Sequence, residues 1–326
     1  PATRSAATLF EEKITREEGK RRGNEIMATV FIVLRQIVIM FLYMAIGGLL
    51  FQKGLITKEG SKSLANLLLY VVLPCVVVKS FCVARTPERM SGLLVSFLAA
   101  LGILLLAMAV SHLLFKKNPI DDFGAAFSNA GFMGFPLVAA VQGSEAIFYA
   151  AGFVALLNAL QWTYGQSLIS GDPGYRSPKA ILKNPLVLSL LLGILIFCFE
   201  IPMPAIASDL LAALAALNAP LAMVILGVYL AQTDPKTLFN DPHLYVVAAA
   251  RLVLIPLLTA LVLKLLPAQY AAIATTLVIV AAAPIGSNVA VYAQKLGKDY
   301  AYAVRGVCLS TLLSAITMPL LMLLVG

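Results

Sequence analysis

The chain has 326 residues, of which 60% are hydrophobic and only 12% charged, with a mean hydropathy of +0.92. These values exclude an ordinary soluble globular domain and match polytopic membrane proteins. A net charge of +8 and a pI near 9.3 would suit nucleic acid, but no basic patch carries the aromatic or motif support that nucleic-acid binding requires.

Residues 1–27 read as a polar tail in which Arg4, Lys13, Arg16, Lys20, Arg21 and Arg22 face five acids. Met27, followed directly by an apolar run, reads as a natural start and the tail as a non-native extension. The tail also lacks the layout of a cleaved signal. Ten apolar stretches then follow, each near the ~20 residues that a helix needs to cross a bilayer: 28–51, 62–83, 91–115, 122–142, 145–169, 180–200, 203–231, 243–266, 270–294 and 299–325. The reading is an all-α polytopic protein of ten transmembrane helices.

Basic residues gather in alternate loops. Eleven lie on one side (Lys53, Lys58, Lys62, Lys116, Lys117, Arg176, Lys179, Lys183, Lys236, Lys295 and Lys298) against four on the other (Lys79, Arg85, Arg89 and Lys264). By the positive-inside rule the richer side is cytoplasmic, which places both termini outside a cell membrane crossed many times.

Five stretches fall in 28–169 and five in 180–325, with a cytoplasmic linker at 170–179. An odd number of spans per half makes the second half enter from the opposite face, so the repeat is inverted, 5+5. Punctuation matches between halves: Leu73-Pro74 in the second span and Ala219-Pro220 in the seventh, then interrupted fourth and ninth spans. Each interrupted span leads through a Gly-initiated loop, at Gly143 and Gly297, into the next helix.

Those interruptions are the most informative feature. Ser128, Asn129, Gly131, Gly134 and Pro136 break the fourth span; Pro284, Gly286, Ser287 and Asn288 break the ninth, about 150 residues later. An unpaired backbone N–H or C=O in hydrocarbon costs several kcal/mol, so such a break persists only where protein or a water-filled cavity satisfies the freed groups. The two breaks are expected to meet at the bilayer centre. The helix N-termini that follow them favour an anion, with Ser128, Asn129, Ser287 and Asn288 as neutral donors to a carboxylate. Simple kinking of two closely packed helices is the competing explanation.

The remaining reactive residues point nowhere else. Cys75, Cys82, Cys198 and Cys308 read as packing residues, and His112 and His243 as interfacial side chains without a carboxylate or cysteine partner at ligand spacing. No metal, cofactor or catalytic constellation is expected, which argues against a membrane-embedded hydrolase. Arg35, Lys79 and Lys264 are expected to snorkel. Arg251 is expected to reach lipid phosphates, and Arg305 to do so or to draw anions inward. Neither break holds an Asp or Glu, so transport is expected to run on the anion's gradient and the membrane potential rather than on sodium or protons.

Asn129-Ala-Gly-Phe-Met-Gly134-Phe-Pro136-Leu, and Ala283-Pro284-Ile-Gly-Ser-Asn288-Val with Tyr292-Ala293-Gln294, resemble the paired motifs of the auxin efflux carrier family, which includes plant PIN carriers and bacterial carriers of malonate and other organic acids. The resemblance runs over about residues 28–325 and also touches Asn66 to Pro74, Asn184 to Gly193 and Leu309 to Pro319. It implies a bile-acid-carrier or NhaA-like architecture with a scaffold and a transport domain that moves as an elevator. It further implies a carboxylate site at the helix 4/9 crossover that includes Tyr292, export of a small organic anion, and a homodimer in the bilayer. The long hydrophilic loop of plant members is absent, which favours a bacterial type. A sodium- or proton-coupled symporter of the bile-acid carrier type is the alternative, distinguished by an acid at the crossover.

Overall fold

The computed structural model describes residues 6–176 and 178–325. Among them every named element is helical, and extended pairing is confined to one isolated bridge. The principal helices are α1 (Ala6–Gln52), α2 (Lys58–Ser80), α3 (Pro87–Phe115), α4 (Pro119–Ala126), α5 (Ala130–Gln142), α6 (Ser144–Ser170), α7 (Pro185–Cys198), α8 (Ala205–Ala231), α9 (Pro242–Leu263), α10 (Ala268–Ala282), α11 (Asn288–Lys295) and α12 (Tyr300–Val325).

Seven of these are long and apolar enough to cross a bilayer: α1 from Met27 onward, α2, α3, α6, α8, α9 and α12. The chain is a multi-pass membrane protein. Three expected spans are shorter as helices. Residues 122–142 and 270–294 are divided, giving α4 with α5 and α10 with α11. Residues 180–200 hold α7, whose 14 residues span about 21 Å. Asn184-Pro185 starts that helix late, and Glu200 ends the region at φ 49°. The expected polar tail falls partly on residues 1–5, outside the described residues; from Ala6 its backbone is continuous with α1. In the expected linker 170–179, Pro173–Arg176 forms a 3-10 turn, and Ser177 lies outside the described residues.

Local chemistry sets the helix starts. Thr86-Pro87, Asn118-Pro119, Asn184-Pro185 and Asp241-Pro242 open α3, α4, α7 and α9, each with a side-chain oxygen accepting a backbone N–H of the first turn. Proline suits the first position because its missing N–H would have had no helical partner there.

Proline also shapes the interiors. In α2, α5 and α9 a five-residue π turn (Leu68–Val72, Ala130–Gly134, Ala250–Leu254) ends two residues before Pro74, Pro136 or Pro256. Proline cannot donate to the carbonyl four residues back. The preceding N–H instead reaches five residues back, as in Leu73 to Leu68, Phe135 to Ala130 and Ile255 to Ala250. A fourth π turn, Gln161–Gly165 in α6, has no such proline.

The burial pattern is that of a protein in lipid. Leu94, Leu98, Leu105, Leu191, Leu195 and Leu261 are exposed on the helix exteriors, whereas Asn129, Asn158, Gln161, Asn218 and Arg251 are buried. α1 packs along α8, and α2 packs against α7 and α8. α3 packs against α4 and α6, and α9 and α11 against α12. The α1/α8 contact is very close: a Cβ on Gly227 would lie 1.9 Å from the Met44 carbonyl oxygen, so only glycine fits.

Candidate functional site

Between α4 and α5 the backbone opens at Phe127, Ser128 and Asn129; between α10 and α11 it opens at Ala283 to Ser287. The two stretches lie side by side. Asn129 N donates to the Pro284 carbonyl at 2.8 Å and Gly286 N to the Phe127 carbonyl at 3.0 Å, an antiparallel bridge centred on Ser128 and Ile285. Each break thus satisfies backbone groups that the other exposes. Gly286 permits the approach, because a Cβ there would sit 3.1 Å from the Ser128 carbonyl oxygen and 3.2 Å from that of Phe127.

Side chains satisfy further groups. Ser128 Oγ donates to the Val280 carbonyl at 2.8 Å, and Ser310 Oγ accepts Ile285 N at 3.1 Å. Asn218 Nδ2, from α8, donates to the Gly131 carbonyl at 3.0 Å. Arg251 is 1% exposed. Its guanidinium donates to the carbonyls of Ala125 (2.9 Å) and Ala126 (3.1 Å) at the end of α4, and to Ala281 at the end of α10. This corrects the sequence expectation, because Arg251 reaches helix ends rather than lipid phosphates.

The expected site residues divide into two groups. Ser128, Asn129, Gly131, Gly286, Ser287 and Asn288 line one small cleft, together with Leu69, Leu73, Phe132, Leu157, Asn158 and Gln161. Pro284 reaches the cleft's wall through its carbonyl bond to Asn129. Gly134 packs instead against Val280, Pro136 lines a separate cavity, and Tyr292 sits on α11 with its ring edge-on to Phe123 at 5.7 Å. The cleft lining carries no ionisable side chain.

Gln161 and Asn158 are additions from α6. Asn288 Nδ2 donates to Gln161 Oε1 at 2.7 Å and approaches Asn158 Oδ1 at 3.5 Å. Gln161 Nε2 and Asn129 Nδ2 are buried donors with no hydrogen-bond partner among the described residues. The available signal was Asn158 and Gln161, two amides three residues apart in a largely apolar span, a spacing that puts both on one helix face.

Two cavities flank the cleft. One, of about 420 Å³, shares Leu69, Phe132, Ser287 and Asn288 with it and reaches Tyr292, Lys183 and Lys295. The other, of about 410 Å³, is lined by Lys79, Phe135, Pro136, Glu145 and Asn218 and shares no lining residue with the cleft.

The far end of α4 corrects the expectation for the histidines. Both meet carboxylates there. His112 Nδ1 lies 2.8 Å from Asp122 Oδ2 and His243 Nε2 lies 2.8 Å from Asp121 Oδ2, while Tyr302 OH donates to Asp121 Oδ1 at 2.8 Å. Both carboxylates are buried in the first turn of α4, where the helix dipole favours negative charge. Their contacts tie α4 to α3, α9 and α12.

A family profile described as "Membrane transport protein" matches residues 32–180 and 175–322. The chain belongs to this family, that of the auxin efflux carriers. A Methanothermobacter thermautotrophicus protein named "Uncharacterized transporter" is 27% identical over 278 residues, covering 82% of this chain and 90% of its own. A Rhizobium meliloti protein named "Putative malonate transporter" is 27% identical over 274 residues, covering 78% of this chain and 83% of its own.

Proposed function

We propose that this membrane transport protein carries a small organic acid anion, of the dicarboxylate or related carboxylate class, whose carboxylate binds between the two breaks. One observation carries the reading: Asn129 Nδ2 and Gln161 Nε2 are buried amide donors without a partner, both at a cleft that also opens on the N-terminus of α11. Donors so placed cost about 1–3 kcal/mol each while unpaired and are matched by an acceptor ligand. The malonate in the Rhizobium meliloti relative's name is the same chemical class.

In this reading α4/α5 and α10/α11 are the broken helices of a 5+5 inverted repeat, crossing at the site. α1, α2, α7 and α8 form a scaffold against which the rest moves as an elevator. The cleft's shared lining with the cavity holding Lys183 and Lys295 corresponds to an opening toward the cytoplasm, by the positive-inside rule. Transport follows the anion's gradient and the membrane potential, worth ~2.3 kcal/mol per charge per 100 mV.

The test is a thermal-shift and proteoliposome-flux series with small carboxylates. Asn129→Ala and Asn288→Ala should each reduce flux about tenfold, as expected when a donor to a charged ligand is lost. Normal flux in both variants would refute the site. A proton-coupled carrier is the second reading, favoured by the buried carboxylates Asp121 and Asp122 on a broken helix, which pair with the half-exposed His243 and His112. Uptake that follows an imposed pH gradient at zero potential, and no longer does so in His243→Gln, would establish it over the first.

A further inference from the structure

We infer that Arg251 is a built-in cation, occupying between the C-terminal ends of α4 and α10 the position that a carried monovalent cation would otherwise fill. The inference rests on the anion-carrier reading only for its consequence on cargo affinity.

A broken helix presents two kinds of end. The N-terminal ends after the break carry roughly half a positive elementary charge each, and the C-terminal ends before it carry roughly half a negative one. Discontinuous helices in membrane carriers hold cations at such C-terminal ends and anionic groups at the N-terminal ends. Here the carbonyls of Ala125, Ala126 and Ala281 converge from both C-terminal ends, and the guanidinium of Arg251 takes all three. The π turn Ala250–Leu254 in α9 places it there.

The charge is fully buried, and among the described residues no carboxylate accepts from it: its three hydrogen bonds there go to backbone carbonyls. A buried cation without a paired anion is held by dipoles alone, and two half-helix ends sum to about one negative charge. Arg251 therefore neutralises the negative ends, leaving the positive N-terminal ends as the field that acts on the cleft. With a cation tethered at this point, no sodium ion need be bound there before the anion.

The prediction is read on purified protein. Arg251→Ala should leave a carbonyl cradle that takes a free cation. Millimolar guanidinium, far below its denaturing range, should raise the unfolding temperature of the variant over a choline control and leave the wild type unmoved, with sodium as a second probe. Arg251→Gln keeps amide donors for the carbonyls but not the charge, and guards against simple misfolding of the alanine variant. It should fold and need about tenfold or more carboxylate for half-maximal stabilisation, since a unit charge in a buried site acts strongly. Flux through Arg251→Ala should fall and recover in part with guanidinium. The inference is overturned if neither guanidinium nor sodium stabilises Arg251→Ala over choline, or if a wild type that binds carboxylates is matched in affinity by Arg251→Gln. The guanidinium response needs no carboxylate. A wild type that ignores every carboxylate beside an alanine variant that binds guanidinium would therefore refute the anion reading and leave the Arg251 site standing.

Discussion

The α1/α8 contact and the paired breaks both bring backbone against backbone, but by opposite means. α1 is continuous and Gly227 lies in the uninterrupted stretch Asn218–Ala231 of α8, past the turn at Leu217, so Gly47 and Gly227 let two regular helical surfaces touch. Such a contact rests on packing. At the breaks the helices stop, and several freed backbone groups find partners on the other chain segment or on a side chain such as Ser128, Ser310 or Arg251. The first arrangement is apolar and mechanically simple. The second leaves polar groups beyond those the backbone needs, and those line the proposed site.

Substitutions that act on one arrangement and spare the other sharpen the contrast. Gly227→Leu should have the largest effect, since even the Cβ would overlap the Met44 carbonyl at 1.9 Å. Overpacking against backbone costs upward of about 3 kcal/mol, so no monodisperse peak should appear in size-exclusion chromatography. Gly286→Ala is milder because its Cβ lies 3.1 Å from the Ser128 carbonyl oxygen. A loss of about 1–2 kcal/mol is expected, visible as a lowered unfolding temperature together with a disproportionate loss of flux. Gln161→Ala removes the acceptor for Asn288 and should weaken carboxylate binding about fivefold, near 1 kcal/mol, with little change in unfolding temperature. Arg85→Ala should be nearly silent. Its pairing with Glu200 is 3.9 Å long and about half exposed, and its hydrogen bond to the Cys198 carbonyl is exposed to solvent, so the two together contribute under about 1 kcal/mol.

Proline and glycine act locally, and Pro284 does sit in the ninth-span break, but the fourth span opens at Phe127 to Asn129, ahead of Pro136, which lies inside α5. Three of the four π turns follow the same local logic, two residues ahead of a proline. Gln161 was hidden because its meaning depends on Asn288, 127 residues away. Arg251 was misjudged for a related reason. Counted along its span it sits near the end, where snorkelling is the usual fate, yet in space that stretch of α9 passes the ends of α4 and α10. The histidines, each near the end of an apolar stretch, gave no hint that α4 would bring Asp121 and Asp122 to them.

By itself the sequence determined where the apolar segments lie and that two of them are interrupted near their middles. These follow from hydropathy and from breaker residues, which act over a few residues. Only the tertiary structure decided that the two stops bond to each other, which amides face the cleft, and that Arg251 caps the two ends beside it. Such pairings bring together residues 30 to more than 120 positions apart, and local propensity carries no information about them.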